Sequence, residues 1–155
     1  MPLKGIPFNL SPDLLKLLSA AGHGDEIILA DAHFPTTSIC KGENAPVEIR
    51  ADGLLIPPLL TSILKFFPLD QYVGEPVALM QRTADDEAKN LPVPIWDEIS
   101  RIVNEAEGKK ISIEKMDRFD FYGRARSAFA IIHTGDVSQY GNVIIKKGVV
   151  YPPTQ

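Results

Sequence analysis

The sequence predicts an α/β domain of three layers, α/β/α, around a mixed but mostly parallel sheet. Short apolar runs alternate with stretches of helical apolar spacing, the pattern of a layered α/β chain. The runs are continuous rather than alternating, as in strands covered on both faces. Thirteen prolines in 155 residues keep the elements short. A chain of this length forms one domain, residues 1–155, with enough surface to bury for a core without staples.

Ser11-Pro12 opens the first helix, with Ser as N-cap, Pro at the first helical position and Asp13 in the first turn. Leu14, Leu15, Leu17 and Leu18 give its apolar stripe, and Gly22 and Gly24 end it. Ile27-Ile28-Leu29 reads as a buried strand and Val47 to Arg50 as a short one. Pro57-Pro58 opens a helix carrying Leu59, Leu60, Ile63, Leu64 and Phe67, and Val77 to Met80 is a further strand. The polar segment Thr83 to Asn90 is expected as a surface loop. Pro94 leads a helix through Trp96, Ile99, Ile102 and Val103, closed by Gly108. Ile111 to Glu114 is expected as a strand, Phe119 to Ala128 as a helix and Phe129 to Ile132 as a strand. Tyr140-Gly141-Asn142 turns into a last strand, Val143 to Lys147, close enough to its predecessor to pair with it antiparallel. Strands separated by a helix pair parallel.

Composition narrows the function classes. Hydrophobic residues at 45% and charged residues at 23% exclude wholesale disorder. A net charge of -4 argues against a general nucleic-acid binder, which needs a basic field to meet phosphates. Cys40, the lone cysteine, leaves no disulfide framework and no thiolate zinc cluster. No apolar run approaches the ~20 residues of a membrane span. Met1 to Gly5 lacks the apolar core of a signal peptide. The chain is read as a reduced, cytoplasmic, soluble protein.

Three clusters could carry chemistry. In Gly22-His23-Gly24-Asp25-Glu26 the glycines let the backbone bend around His23. Asp31 lies at the far end of the following strand, where ligands of α/β sheets bind. The two residues share a site only if the loop folds back or subunits share the site. Taken singly, His23 reads as an exposed imidazole at a helix stop and Asp31 as a turn cap. His33 and His133 read as surface or hydrogen-bonded structural histidines. A metal set of His23, Asp25, Asp31 and His33 lacks a compact ligand pattern; no metal is expected. In Arg118 to Arg126, Arg118 and Tyr122 are neighbours on one helical face, with donors suited to a polyol. Tyr140-Gly141-Asn142 by itself signals only a turn before a strand.

Taken together, the segments Leu3-Lys4-Gly5-Ile6, Leu10-Ser11-Pro12, Gly22 to Ile27, Ala30-Asp31-Ala32-His33-Phe34-Pro35, Ile49 to Leu54 and Tyr140-Gly141-Asn142 resemble the fucose mutarotase and ribose pyranase family. Arg118-Phe119-x-Phe121-Tyr122-x-Arg124-Ala125 and Lys146 to Val149 resemble its fucose-specific branch. The likeness runs in order from Leu3 to Val149. It implies interconversion of the anomers of a free monosaccharide, L-fucose, without a cofactor, by a homo-oligomer with sites near subunit contacts. It implies a proton donor at His23 and sugar contacts at Asp31, Arg118, Tyr140, Gly141 and Asn142. Tyr122 and Asp70 match positions implicated in animal relatives, Tyr122 with Tyr140 and Asp31 as candidates to manage the anomeric hydroxyl. Two other readings remain open: pyranose–furanose interconversion of ribose, and a monosaccharide-binding module without catalysis.

Overall fold

The computed structural model describes residues 3–154. Met1 and Pro2, the start of the segment read for a leader, and Gln155 lie outside the described residues. The helices are α1 (Pro12–Ala20), α2 (Thr36–Ile39), α3 (Ile56–Ile63), α4 (Ala84–Ala88), α5 (Pro94–Glu107) and α6 (Arg118–Arg126). The strands are β1 (Glu26–Ala30), β2 (Val47–Ala51), β3 (Val77–Met80), β4 (Ile113–Met116), β5 (Ala130–Thr134) and β6 (Val143–Lys146).

One six-stranded sheet runs in the order β2-β5-β1-β6-β3-β4. β5 pairs parallel with both β2 and β1, and β3 with β4. β6 is antiparallel to β1 and to β3, so it is the seam between two parallel halves. The expected pairing of the last two strands is therefore corrected. Residues 135–142 carry the chain across the end of β1, and β6 descends on its far side.

Side-chain alternation along the strands divides the core in two. Ile27 and Leu29 of β1, with Ile132, Val143, Ile145, Val77 and Leu79, pack under α1, α3 and α5. Ile28, Ala30, Ile131, Ile144, Ala78 and Met80 face Phe34 and the Phe121 and Ala125 side of α6. Each fully buried Ile or Leu contributes about 1.5–3 kcal/mol. Both faces of the central strands are thus apolar, the cause of the unbroken runs in the sequence.

The helix signals hold. The Ser11 side chain accepts from the Leu14 N–H, and Gly108 closes α5 in the left-handed region at φ 67°. α1 stops at Ala20, ahead of Gly22 and Gly24. α3 starts at Ile56, one residue before the proline pair, and ends at Ile63, so that Leu64 is its C-cap and Phe67, read as part of it, lies beyond it. The segment Thr83 to Asn90 is not a loop throughout: Thr83 caps the short α4, which buries no side chain and so shows no apolar period. β4 begins two residues later than expected, because the Ile111 N–H is taken by the Asn104 side chain at the end of α5. α2 is too short to show a period.

Candidate active site

The five like-directed strands end at one edge of the sheet, and the antiparallel β6 begins there. Val143 lies opposite Leu29, so Asn142, just before β6, meets Asp31, just after β1. The two clasp each other: the Asp31 N–H donates to Asn142 Oδ1 at 2.8 Å and Asn142 Nδ2 donates to Asp31 Oδ2 at 3.0 Å. The His33 N–H donates to Asp31 Oδ1 at 2.9 Å. Burial raises the Asp31 carboxyl above its ordinary range, against the lowering by His33 and Asn142.

These groups line a cavity of about 190 Å³ shared with Tyr122, Tyr140 and the exposed His33, over Phe34 and Met80. The cavity is smaller than the roughly 300–1,000 Å³ of sites that enclose drug-sized ligands. Tyr122, on α6, tilts against Phe34 at 5.6 Å. Tyr140 sits at φ 56°, a backbone that bulky residues rarely adopt. Trp96 Nε1 holds its carbonyl at 3.0 Å, and its phenol donates to Asp86 Oδ2 at 2.5 Å while accepting from the Thr83 N–H at 3.2 Å. Gly141 beside it sits in tight quarters, since a Cβ would lie 3.2 Å from the Ser138 carbonyl and 3.3 Å from Ile95 Cδ1. Arg118, in the first turn of α6, is exposed and lies over the Phe119 ring, outside the cavity lining.

His23 belongs to the opposite edge. The Gly22 N–H donates to Asp25 Oδ2 at 2.6 Å, and Gly24, at φ 84°, donates to the Lys147 carbonyl at 2.8 Å. The loop therefore runs back along β6 rather than toward Asp31. His23 Nε2 lies 3.1 Å from Asp70 Oδ1; the imidazole is 46% exposed and the carboxylate 4%. The Tyr72 N–H donates to the same oxygen at 3.0 Å, and the Tyr72 ring lies 5.4 Å from the imidazole. Burial opposes ionisation of Asp70, yet the Tyr72 amide, His23 and Lys146 hold its carboxyl below the ordinary range. The length of β1, roughly 13 Å at about 3.3 Å per strand residue, lies between His23 and Asp31. One chain does not bring them together.

The other candidates separate in the same way. His133 is buried, with Nδ1 2.7 Å from the Thr36 hydroxyl; burial, then Arg50, lowers its pKa. Asp31 and His33 sit at one edge and His23 and Asp25 at the other, and among the described residues no three His, Cys, Asp or Glu side chains gather as a metal set. A larger groove of about 520 Å³ between the starts of α3 and α5 is walled by prolines. Its Asp136 is occupied by the Ile56 and Ser138 amides, so it offers no acid–base pair.

The sequence matches the RbsD / FucU transport protein family over residues 4–150. The chain belongs to this family. It is 53% identical over 153 residues to the fucose mutarotase of Danio rerio, covering 99% of this chain and 97% of that one. It is 53% identical over 148 residues to the fucose mutarotase of Mus musculus, covering 96% and 95%. The crystal structure of the fucose mutarotase from Streptococcus pneumoniae in complex with L-fucose superposes with a TM-score of 0.87 at 45% identity, over 96% of this chain and all of that one. The RbsD / FucU family resemblance read from Leu3 to Val149 thus stands. Reasoning from sequence missed Asp86 and Thr83 as supports of Tyr140, although Thr83-x-x-Asp86 has the spacing of a helix-start capping pair.

Proposed function

We propose that this protein is an isomerase that interconverts the α and β anomers of free L-fucose, with residues 1–155 as one mutarotase-like domain. The observation that carries this reading is a half-exposed imidazole backed by a buried carboxylate, in a chain 45% identical to a fucose mutarotase solved with L-fucose. Mutarotation takes a proton from the anomeric hydroxyl and gives one to the ring oxygen. The ring opens to an aldehyde, the bond between the first two carbons turns, and the reverse transfers close it. With Asp70 ionised, His23 Nε2 keeps its hydrogen on the carboxylate, so Nδ1 is the nitrogen that exchanges protons with the ring oxygen. The anomeric proton leaves toward the other edge, where Asp31, Tyr122 and Tyr140 are the acceptors on offer. Asp31, Asn142 and Arg118 hold ring hydroxyls. These side chains supply general acid–base catalysis, typically about 10²–10⁴-fold, enough for a reaction that already proceeds slowly in water.

Because the two halves lie at opposite edges, the working site pairs the His23 edge of one chain with the Asp31 edge of another. A homo-oligomer is therefore part of the proposal. A cytoplasmic location is part of the same proposal. No helix among the described residues is long and apolar enough to cross a membrane. Saturation-transfer NMR of L-fucose and ribose side by side tests the reading. Accelerated exchange of L-fucose above ribose is expected, given the Arg118 to Tyr122 segment. Binding of L-fucose without accelerated exchange overturns it in favour of a binding module.

A further inference from the structure

The α4 segment buries no side chain, yet it makes two polar contacts with a residue of the cavity. We infer that Asp86 is a positioning residue of the mutarotase site: it takes the phenolic hydrogen of Tyr140 and leaves the phenol oxygen as a fixed acceptor for the anomeric hydroxyl. This deepens the reading above and rests on it.

A phenol oxygen offers one hydrogen and two lone pairs. In Tyr140 the hydrogen is committed to Asp86 Oδ2 and one lone pair receives the Thr83 N–H. One lone pair remains, on a side chain that lines the cavity. Turning the hydrogen toward a sugar would leave the half-buried Asp86 carboxylate facing the phenol lone pairs, so Tyr140 is held as an acceptor. Its position is fixed from both ends, by Trp96 at the carbonyl and α4 at the phenol. α4 is itself held by polar bonds. The Thr83 hydroxyl accepts from the Asp86 N–H, the Leu91 N–H donates to the Asp86 carbonyl at 3.0 Å, and Arg82 donates to the Leu91 carbonyl at 2.8 Å. The left-handed backbone of Tyr140 is thus maintained for its side chain, as strained residues at functional sites are.

The proton path follows. As the ring opens, the O1 proton passes to the Tyr140 oxygen while the phenolic proton passes to Asp86. The O1–H electron pair becomes the second C1–O1 bond. The C1–O5 pair leaves with O5, which takes the Nδ1 proton of the His23 imidazolium. Reclosure reverses each transfer and restores the charge on Asp86.

A double-mutant cycle of Asp86→Asn and Tyr140→Phe tests this, with exchange rate by saturation-transfer NMR, L-fucose affinity by titration, and melting temperature. Asp86→Asn is expected to lower the maximal exchange rate about 10- to 100-fold with affinity within about twofold. In the Tyr140→Phe background the same change is expected to cost less than about twofold. Equal losses in both backgrounds, or a loss confined to affinity or melting, would overturn the inference. Should Asp86→Asn not fold, Asp86→Glu carries the test: it keeps a carboxylate and is expected to retain the rate within about fivefold, and a fall to the Tyr140→Phe rate overturns the inference. A wild-type protein without accelerated exchange overturns the function and this inference together. Accelerated exchange with an additive cycle overturns only the role of Asp86.

Discussion

The two edges of the sheet present different chemistry to the proposed reaction. At one, an imidazole stands half in solvent on a buried carboxylate; at the other, a small cavity is lined by groups whose hydrogen bonds are already fixed. The two buried aspartates show the difference. Burial pushes both carboxyls upward, but Asp70, held by the Tyr72 amide, His23 and Lys146, ends below its ordinary range, while Asp31, held by the His33 amide and ring and by Asn142, ends above it. The Tyr72 amide, His23 and Lys146 together outweigh burial at Asp70, whereas at Asp31 burial outweighs the His33 and Asn142 contacts. In the proposed mechanism Asp70 supports the His23 ring and Asp31 accepts from sugar hydroxyls.

Substitutions at each edge break the comparison in different observables. The largest effect is expected from His23→Asn, which removes the ring nitrogen that exchanges the proton with the sugar in the proposed mechanism: anomer exchange of L-fucose should fall by about 10²–10⁴-fold with affinity little changed, as read by saturation transfer and titration. Asp31→Ala is expected instead to weaken L-fucose binding by roughly 10- to 100-fold, the cost of losing hydrogen bonds to a charged acceptor. Asp70→Asn leaves the imidazole in place without its carboxylate. A loss of about tenfold in the maximal rate, with unchanged affinity, is expected.

The smallest effect lies in stability against pH. The folded Asp70 carboxyl titrates below its unfolded value near ~4, so its contribution is complete above that range and disappears as pH falls through the folded value. For Asp31 the folded value is raised, so its contribution is complete below the unfolded value and is lost as pH rises through the folded one. In urea melts from pH 7 to pH 3, the advantage of wild type over Asp70→Asn should shrink on acidification, whereas relative to Asp31→Asn wild type should gain. Parallel behaviour of the two variants would show that the edges do not differ as described.

The edges also differed in how far the sequence disclosed them. Ser11-Pro12, Gly108 and the runs at Ile27 and Val77 express local chemistry, and each marks a real element. The insertion of β6 between β1 and β3 is a choice among distant partners, which no local pattern encodes. Likewise Asp31 and Asn142 are 111 residues apart in sequence and His23 and Asp70 are 47 apart. Their pairing is a product of the sheet order, and only family resemblance drew attention to all four. α4 escaped because a helix that buries nothing leaves no apolar period; Asp86 escaped with it.

The central claim, that catalysis joins the His23 edge of one chain to the Asp31 edge of another, is tested most directly by complementation. His23→Asn and Asp31→Ala chains, each impaired alone when L-fucose is kept below the wild-type Kd, would be unfolded together in equal amounts, refolded and assayed for L-fucose anomer exchange at that concentration. If sites form between chains, about a quarter of them pair an intact His23 with an intact Asp31, whether the assembly is a dimer or a ring. Recovery of about a quarter of the wild-type rate is expected. A mixed assembly that remains as inactive as either parent would contradict the shared site.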